Sequence, residues 1–356
     1  MISSIGKSIA ALILACAIIA AVVFALGASP VGVFAALYEG AFGTWYATAD
    51  TIVKATPLIF TGLAISISFS GALWNIGADG QLIAGAIAAG AIGPYLGGWP
   101  RPVAISLVLI AGAAGGAVWG GICGWLRARR DTNEVISTIM MNFVAAQLIS
   151  WMVHGPLIEA SGAYPQSMAI APSARMYMPI EPTRLNPGVL LAIALAIGCY
   201  LLLFHVKLGF ELRAMGRNRR AATFFGIPIA RLTIGILALS GALAGIGGAV
   251  QVSAITHRLY EKFSPGWGFE AIAVALVARL NPLGIILSAI FFGALDNGSQ
   301  AMQRAQGVSP VLVQVIQGLV IMILLAFDTP AWARIRGQIF ARDARSAPDT
   351  GARADA

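Results

Sequence analysis

The sequence predicts an all-α polytopic membrane protein of about ten transmembrane helices, with the N- and C-termini cytoplasmic. Three observations predict it. Of the 356 residues, 58% are hydrophobic and 11% charged, against about 25% charged in soluble domains. The apolar residues come in runs that match the roughly 20 residues a helix needs to cross a bilayer. When those runs alternate across the membrane, sixteen of the 23 Lys and Arg residues fall on one side, as the positive-inside bias requires. The net charge of +8 would suit nucleic acid, but the basic residues sit at segment ends rather than along one face. Membrane lipid is therefore an expected partner and nucleic acid is not.

Lys7 and the apolar run after it resemble a signal peptide, and Ile13-Leu14-Ala15-Cys16 resembles a lipoprotein cleavage site. A polytopic chain needs no separate export signal, so the run reads as a first helix over 8–27. Further spans are expected at 51–70, 80–98, 102–126, 135–153, 187–206, 232–254, 267–280, 283–303 and 309–327. The eighth is short for a full crossing. Residues 1–330 make one transmembrane domain, and 331–356 a polar cytoplasmic tail expected to be partly disordered. The loop over 154–186 holds Pro156, Pro165, Pro172, Pro179 and Pro182, which argues for an extended external cap. In the fourth span, Gly112, Gly116, Gly120 and Gly124 line one helix face, and Gly241 with Gly245 and Ala244 with Gly248 repeat the spacing. Small residues at that interval let helices pack closely.

One long cationic stretch interrupts the apolar chain between the sixth and seventh spans. It runs from Glu211 to Leu232, with Arg213, Arg217, Arg219, Arg220 and Arg231 among Ala214, Gly216, Ala221, Ala222 and Gly226. Positive-inside charge explains the arginines but not the interleaved small residues, which suit a surface that docks closely into a partner. A short helix over Glu211–Met215 ended by Gly216 is expected. A second, capped by Asn218, follows over Arg219–Phe225 and ends at Gly226-Ile227-Pro228.

Enzymatic signatures are missing. There is no HExxH, CxxC or GxSxG, and Gly6-Lys7-Ser8 lacks the first glycine of a phosphate loop. Cys16, Cys123 and Cys199 lie in apolar runs without metal-ligand spacing, and His154, His205 and His257 lie at span ends. No catalytic residue, metal site or cofactor is expected in this chain. Polar groups at membrane depth are the stronger signal, because they are costly there. Asn75, Asp79 and Gln81 occupy a Gly-rich break, read as a pathway or gate element. Asn133 and Glu134 open the fifth span, either as a helix cap or as pathway lining, and Asn142 lies two turns further in. Glu270, Asp296, Asn297 and Gln300 are further intramembrane polar groups.

These same residues carry a family resemblance. Asn75-Ile76-Gly77-Ala78-Asp79-Gly80-Gln81 resembles the NIG-x-EGQ motif of bacterial ABC-importer permeases of the simple-sugar and nucleoside branch, with Asp79 in place of Glu. Asn133 to Asn142 resembles that branch's NEVIsTiMLN motif, with Met141 for Leu. Gly216, Asn218, Ala221, Ala222 and Gly226 match the coupling-loop pattern G-x-N-x-x-AA-x-x-x-G, and Ser264 to Phe269 matches a further stretch, though Arg279 stands near a usual Gly. The resemblance covers about 50–328. It implies a permease subunit in the bacterial inner membrane. Two ATPase subunits would hydrolyse ATP and dock on Glu211, Arg213, Gly216, Asn218, Ala221, Ala222, Gly226 and Ile227. A second permease, a related chain or another copy, would complete the pore. An external substrate-binding lipoprotein or periplasmic protein would deliver the solute. A nucleoside is the expected substrate, since Asn and Gln suit an uncharged, hydroxyl-bearing solute. A ribose-like sugar is the alternative. A secondary transporter or channel would show internal repeats, and none is evident.

Overall fold

The computed structural model describes residues 29–307 apart from Glu181, together with isolated positions on either side. Val33–Pro310 form one compact unit, and Met1–Gly32 group with Val311–Ala356 as a second. The spans expected at 8–27 and 309–327, and the tail, lie outside the described residues.

The described chain is helical, with two isolated β-bridges and no strand. In order, the helices are α1 (Pro30–Phe42), α2 (Trp45–Ser70), α3 (Ala78–Ile92), α4 (Arg101–Arg130), α5 (Glu134–His154), α6 (Gly188–His205), α7 (Lys207–Arg217), α8 (Arg219–Phe224), α9 (Ile229–Gln251), α10 (Trp267–Val277) and α11 (Pro282–Gln306). Among the described residues, six helices are long and apolar enough to cross a membrane: α2, α4, α5, α6, α11, and α9 with its π-helical extension to Thr256. Eight of the expected segments therefore correspond to helices α2–α6 and α9–α11, but α3 and α10 are shorter than a full crossing.

Boundaries differ in ways the sequence explains. α2 starts at Trp45, six residues before the expected Thr51, because Thr44 caps it: its Oγ1 accepts from Ala47 N at 3.1 Å. α1 was not anticipated, since 13 residues cannot span the hydrocarbon and a search for crossings passes over them. Among its described residues, the Pro-rich segment after α5 has one short 3-10 turn, Pro172–Ala174, and isolated β-bridges at Ile158, Gln166 and Ser167, with no long regular element, as its prolines suggest.

The glycine stripe does what its spacing predicts. Gly112, Gly116, Gly120 and Gly124 are all buried on α4. A methyl group on Gly116 would collide with the carbonyl of Gly241, and one on Gly245 with the carbonyl of Gly112. The α4 and α9 backbones thus touch. α3 joins them, because a side chain on Gly85 would strike Gly245, and one on Gly248 would strike Leu82 O. These three helices form a tightly packed core that fixes the position of the break before α3.

Candidate functional site

The chain leaves α2 at Gly71 and re-enters a helix at Ala78, so residues 71–77 are irregular and largely buried. Irregular backbone at depth must find its hydrogen bonds inside the protein. Asn75, fully buried, supplies several. Its Nδ2 donates to Gln81 Oε1 at 2.9 Å and to Ser240 Oγ at 2.8 Å; its Oδ1 accepts from Gly77 N at 2.9 Å and Gln81 Nε2 at 3.1 Å. Ser240 passes the chain on, donating to Ala64 O at 2.6 Å.

Asn142 braces the break from α5. It donates to Ile76 O at 2.8 Å and accepts from Gly80 N at 2.8 Å. Thr138, one turn earlier, accepts from Ile76 N at 3.2 Å. Asp79 reaches the other way. Its Oδ1 accepts from Ser264 Oγ at 2.7 Å and from Gly268 N at 3.0 Å. That carboxylate stands in the first turn of α3 and at the first turn of α10, where both helix dipoles favour negative charge. Of the six expected pathway residues, Asn75, Asp79, Gln81 and Asn142 therefore meet around one break, with their amides committed to protein partners. Asn133 and Glu134 stand apart from it. Asn133 Oδ1 caps α5 by accepting from Val135 N at 2.9 Å, and Glu134 Oε2 pairs with Arg127 Nε at 3.1 Å. Thr138 and Ser264 lie within the motif stretches and Ser240 outside them, but the sequence assigned none of the three a partner. Those partners lie 62 or more residues away, beyond what a local pattern can show.

The cationic stretch folds as an elbow of two helices. α7 begins at Lys207, earlier than expected, and runs through Gly216 to Arg217 instead of ending at Gly216. Asn218 caps α8, accepting from Ala221 N at 3.0 Å. Gly226 adopts φ 78°, and Ile227 N closes the turn on Ala222 O at 3.0 Å. Gly216 faces inward, since a side chain there would strike Ser70 O at the end of α2. Gly209 is equally constrained, against Leu202 O, and no spacing signal pointed to it. Arg213 lies over the Phe204 ring at 5.1 Å, and Glu211 pairs with Lys207 at 3.6 Å. Lys207, Glu211, Asn218, Ala222, Gly226 and Ile227 border a notch of about 550 Å³, beside Phe224 and Phe225, which are 88% and 80% exposed. The expected coupling residues thus divide. Glu211, Asn218, Ala221, Ala222, Gly226 and Ile227 border the notch, whereas Gly216 holds the elbow against α2.

A bundle of apolar helices with a buried polar break and a basic two-helix elbow suits a membrane permease. Residues 47–325 match the family described as branched-chain amino acid transport system / permease component, and the chain belongs to that family. It is 32% identical to the guanosine ABC transporter permease protein NupP of Bacillus subtilis, over 88% of this chain and 91% of that one. It is 31% identical to the nucleoside ABC transporter permease protein NupB of Lactococcus lactis, over 86% of each. It is 30% identical to the glucose ABC transporter permease protein TsgB13 of Haloferax volcanii, over 99% of this chain and 94% of that one. The chain is thus an ABC-transporter permease of the nucleoside and sugar group. No solved structure matches it.

Proposed function

We propose that this chain is the membrane subunit of an ATP-driven importer that moves a nucleoside across the bacterial inner membrane. ATPase subunits grip the α7–α8 elbow from the cytoplasm, an external binding protein delivers the solute, and a second permease subunit completes the pore. The observation that carries this reading is the elbow itself. A notch floored by Ala221 and Ala222 beside two exposed phenylalanines is an apolar patch of the kind that marks a protein interface. Exposed Arg217, Arg219 and Arg220 beside it suit a partner groove rimmed with carboxylates. The elbow's grip on Ser70 and Gly71 gives the partner a mechanical route to the break, and so to alternating access.

A photocrosslinker in place of Phe224 tests this in living cells. It is expected to capture an ATP-hydrolysing protein of the same transporter; labelling of Phe224 only from outside the cell would overturn the orientation and the reading with it. The nucleoside assignment draws support from the guanosine and nucleoside relatives. A sugar is the second reading, favoured by the glucose relative that aligns over 99% of this chain. Uptake of labelled guanosine, competed with glucose, separates them.

A further inference from the structure

We propose that the solute-binding surface of this permease lies on the face shared by α2, α10 and α11, built from Lys54, Glu270, Asp296 and Gln300. The proposal rests on the importer reading above and names the site that reading needs. Lys54 Nζ lies 3.0 Å from Asp296 Oδ2, joining α2 to α11 near the middle of both helices. Glu270 stands in the first turn of α10, the same turn whose Gly268 N meets Asp79. An ion pair at this depth is expensive in hydrocarbon unless it is enclosed by protein or reached by water.

Exposure points to such water. The Asp296 side chain is 54% exposed and that of Lys54 28%. Gln300 and Gln303 are exposed as well, and at four and seven residues beyond Asp296 they share its helix face. Leu287 is also exposed, at 74%, but nine residues at about 100° each place it on the opposite side of α11. One exposed side is apolar and suits lipid; the other is polar and does not. Loose packing does not explain this. The adjacent Asn297 is spent on helix contacts, donating to Ala47 O at 2.9 Å and to Thr51 Oγ1 and Gly40 O at 3.1 Å. Side-chain amides at the break are committed to each other, so capacity for a passing solute lies at Asp296 and Gln300 instead.

The chemistry selects a neutral solute that carries donors and acceptors on adjacent atoms. Asp296 and Glu270 carboxylates accept from N–H groups, and the Lys54 ammonium donates to a carbonyl or ring nitrogen. The hydrogen-bonding edge of a nucleobase offers both together. A sugar hydroxyl can engage the same groups, but it offers donor and acceptor on one oxygen rather than on adjacent atoms of a flat edge.

Single-cysteine variants of the whole transporter, with Cys16, Cys123 and Cys199 replaced, test the site with a charged, membrane-impermeant methanethiosulfonate. Q300C should react and L287C should not. Guanosine at roughly ten times its Kd should slow the Q300C reaction about tenfold. Lys54→Met should raise the KM for guanosine more than that for glucose. Q300C as inert as L287C, or reactive but indifferent to both guanosine and glucose, would overturn the proposal. So would efficient crosslinking of Q300C to the second permease without labelling, which would make the face a subunit contact. Labelling is read without transport. A wild-type complex that takes up neither solute would therefore sink the importer reading separately from the site.

Discussion

Asn75 makes four hydrogen bonds through one side chain, and that concentration sets its sensitivity. Asn75→Ala strands the Gln81 amide and Gly77 N in the bundle, while the Ser240 hydroxyl keeps its bond to Ala64 O. A buried polar group left unpaired costs about 1–3 kcal/mol, so the variant should lose several degrees in its melting midpoint in detergent, followed by fluorescence-detected size exclusion. Ser240→Ala removes one partner and should cost less; an Asn75→Ala protein as stable as wild type would show that the network is slack. Asp79 acts through a single oxygen that receives Ser264 Oγ and Gly268 N. Asp79→Asn keeps an acceptor there and should retain much of the uptake, whereas Asp79→Leu should lose it. Equal uptake in the two would mean that the contact with α10 is dispensable. The close approach at Gly268, where any side chain would strike the Asp79 backbone, makes Gly268→Ala at least as damaging as the leucine.

At the scale of elements, adjacent glycines on α4 give a controlled comparison. A side chain on Gly120 would meet Leu237 O, while on Gly121 the nearest atom is Ala238 Cβ at 3.7 Å. Gly121→Ala should be neutral, or stabilise slightly through helix propensity; Gly120→Ala overpacks a backbone contact, which costs about 1–3 kcal/mol. Equal melting midpoints for the two would contradict the packing. This interface was legible in the sequence because a four-residue spacing is local. The same interval was visible on α9 at Gly241 and Gly245, but not which residue each α4 glycine meets: Gly120 and Gly124 pack on Leu237 and Ile234. The Pro-rich segment after α5 was less so. Its prolines announced an extended loop, but not that Glu159 would pair with Arg258, 99 residues away. A hydrogen bond from Gln166, another from Ser161 at 2.8 Å and the Arg258 guanidinium hold the Glu159 carboxyl below the usual glutamate range. A carboxylate with a depressed native pKa favours the folded state above the unfolded value, near 4.3, and that benefit fades as pH falls through the native value. Protease nicking of this loop should therefore rise below about pH 4 in wild type, and Glu159→Gln should remove most of that dependence.

For the whole molecule, the central question is how a push on the elbow could reach the membrane interior. Motif residues at the elbow and at the break could both be read from the chain, but not the joint between them. Met215 and Gly216 lie 144 and 145 residues beyond Gly71, and their inward orientation follows only from α7 running unbroken to Arg217. The joint is made of contact, not charge. The Met215 methyl lies 3.1 Å from where a Cβ on Gly71 would sit, and Gly216 packs on Ser70 O. Directly beyond them come Leu73 and Asn75, and then the network that positions α3. A rigid, close-packed joint transmits displacement, whereas a cavity absorbs it. Met215→Ala opens such a cavity while leaving the Phe224 and Phe225 rings free to dock. ATP hydrolysis by the assembled complex should then continue near its normal rate while uptake per ATP falls severalfold. Phe224→Ala with Phe225→Ala should instead lower the yield of copurified ATPase and the uptake together. If Met215→Ala leaves uptake per ATP unchanged, force reaches the break by another route, most directly through α9, whose first turn follows the elbow at Ile229.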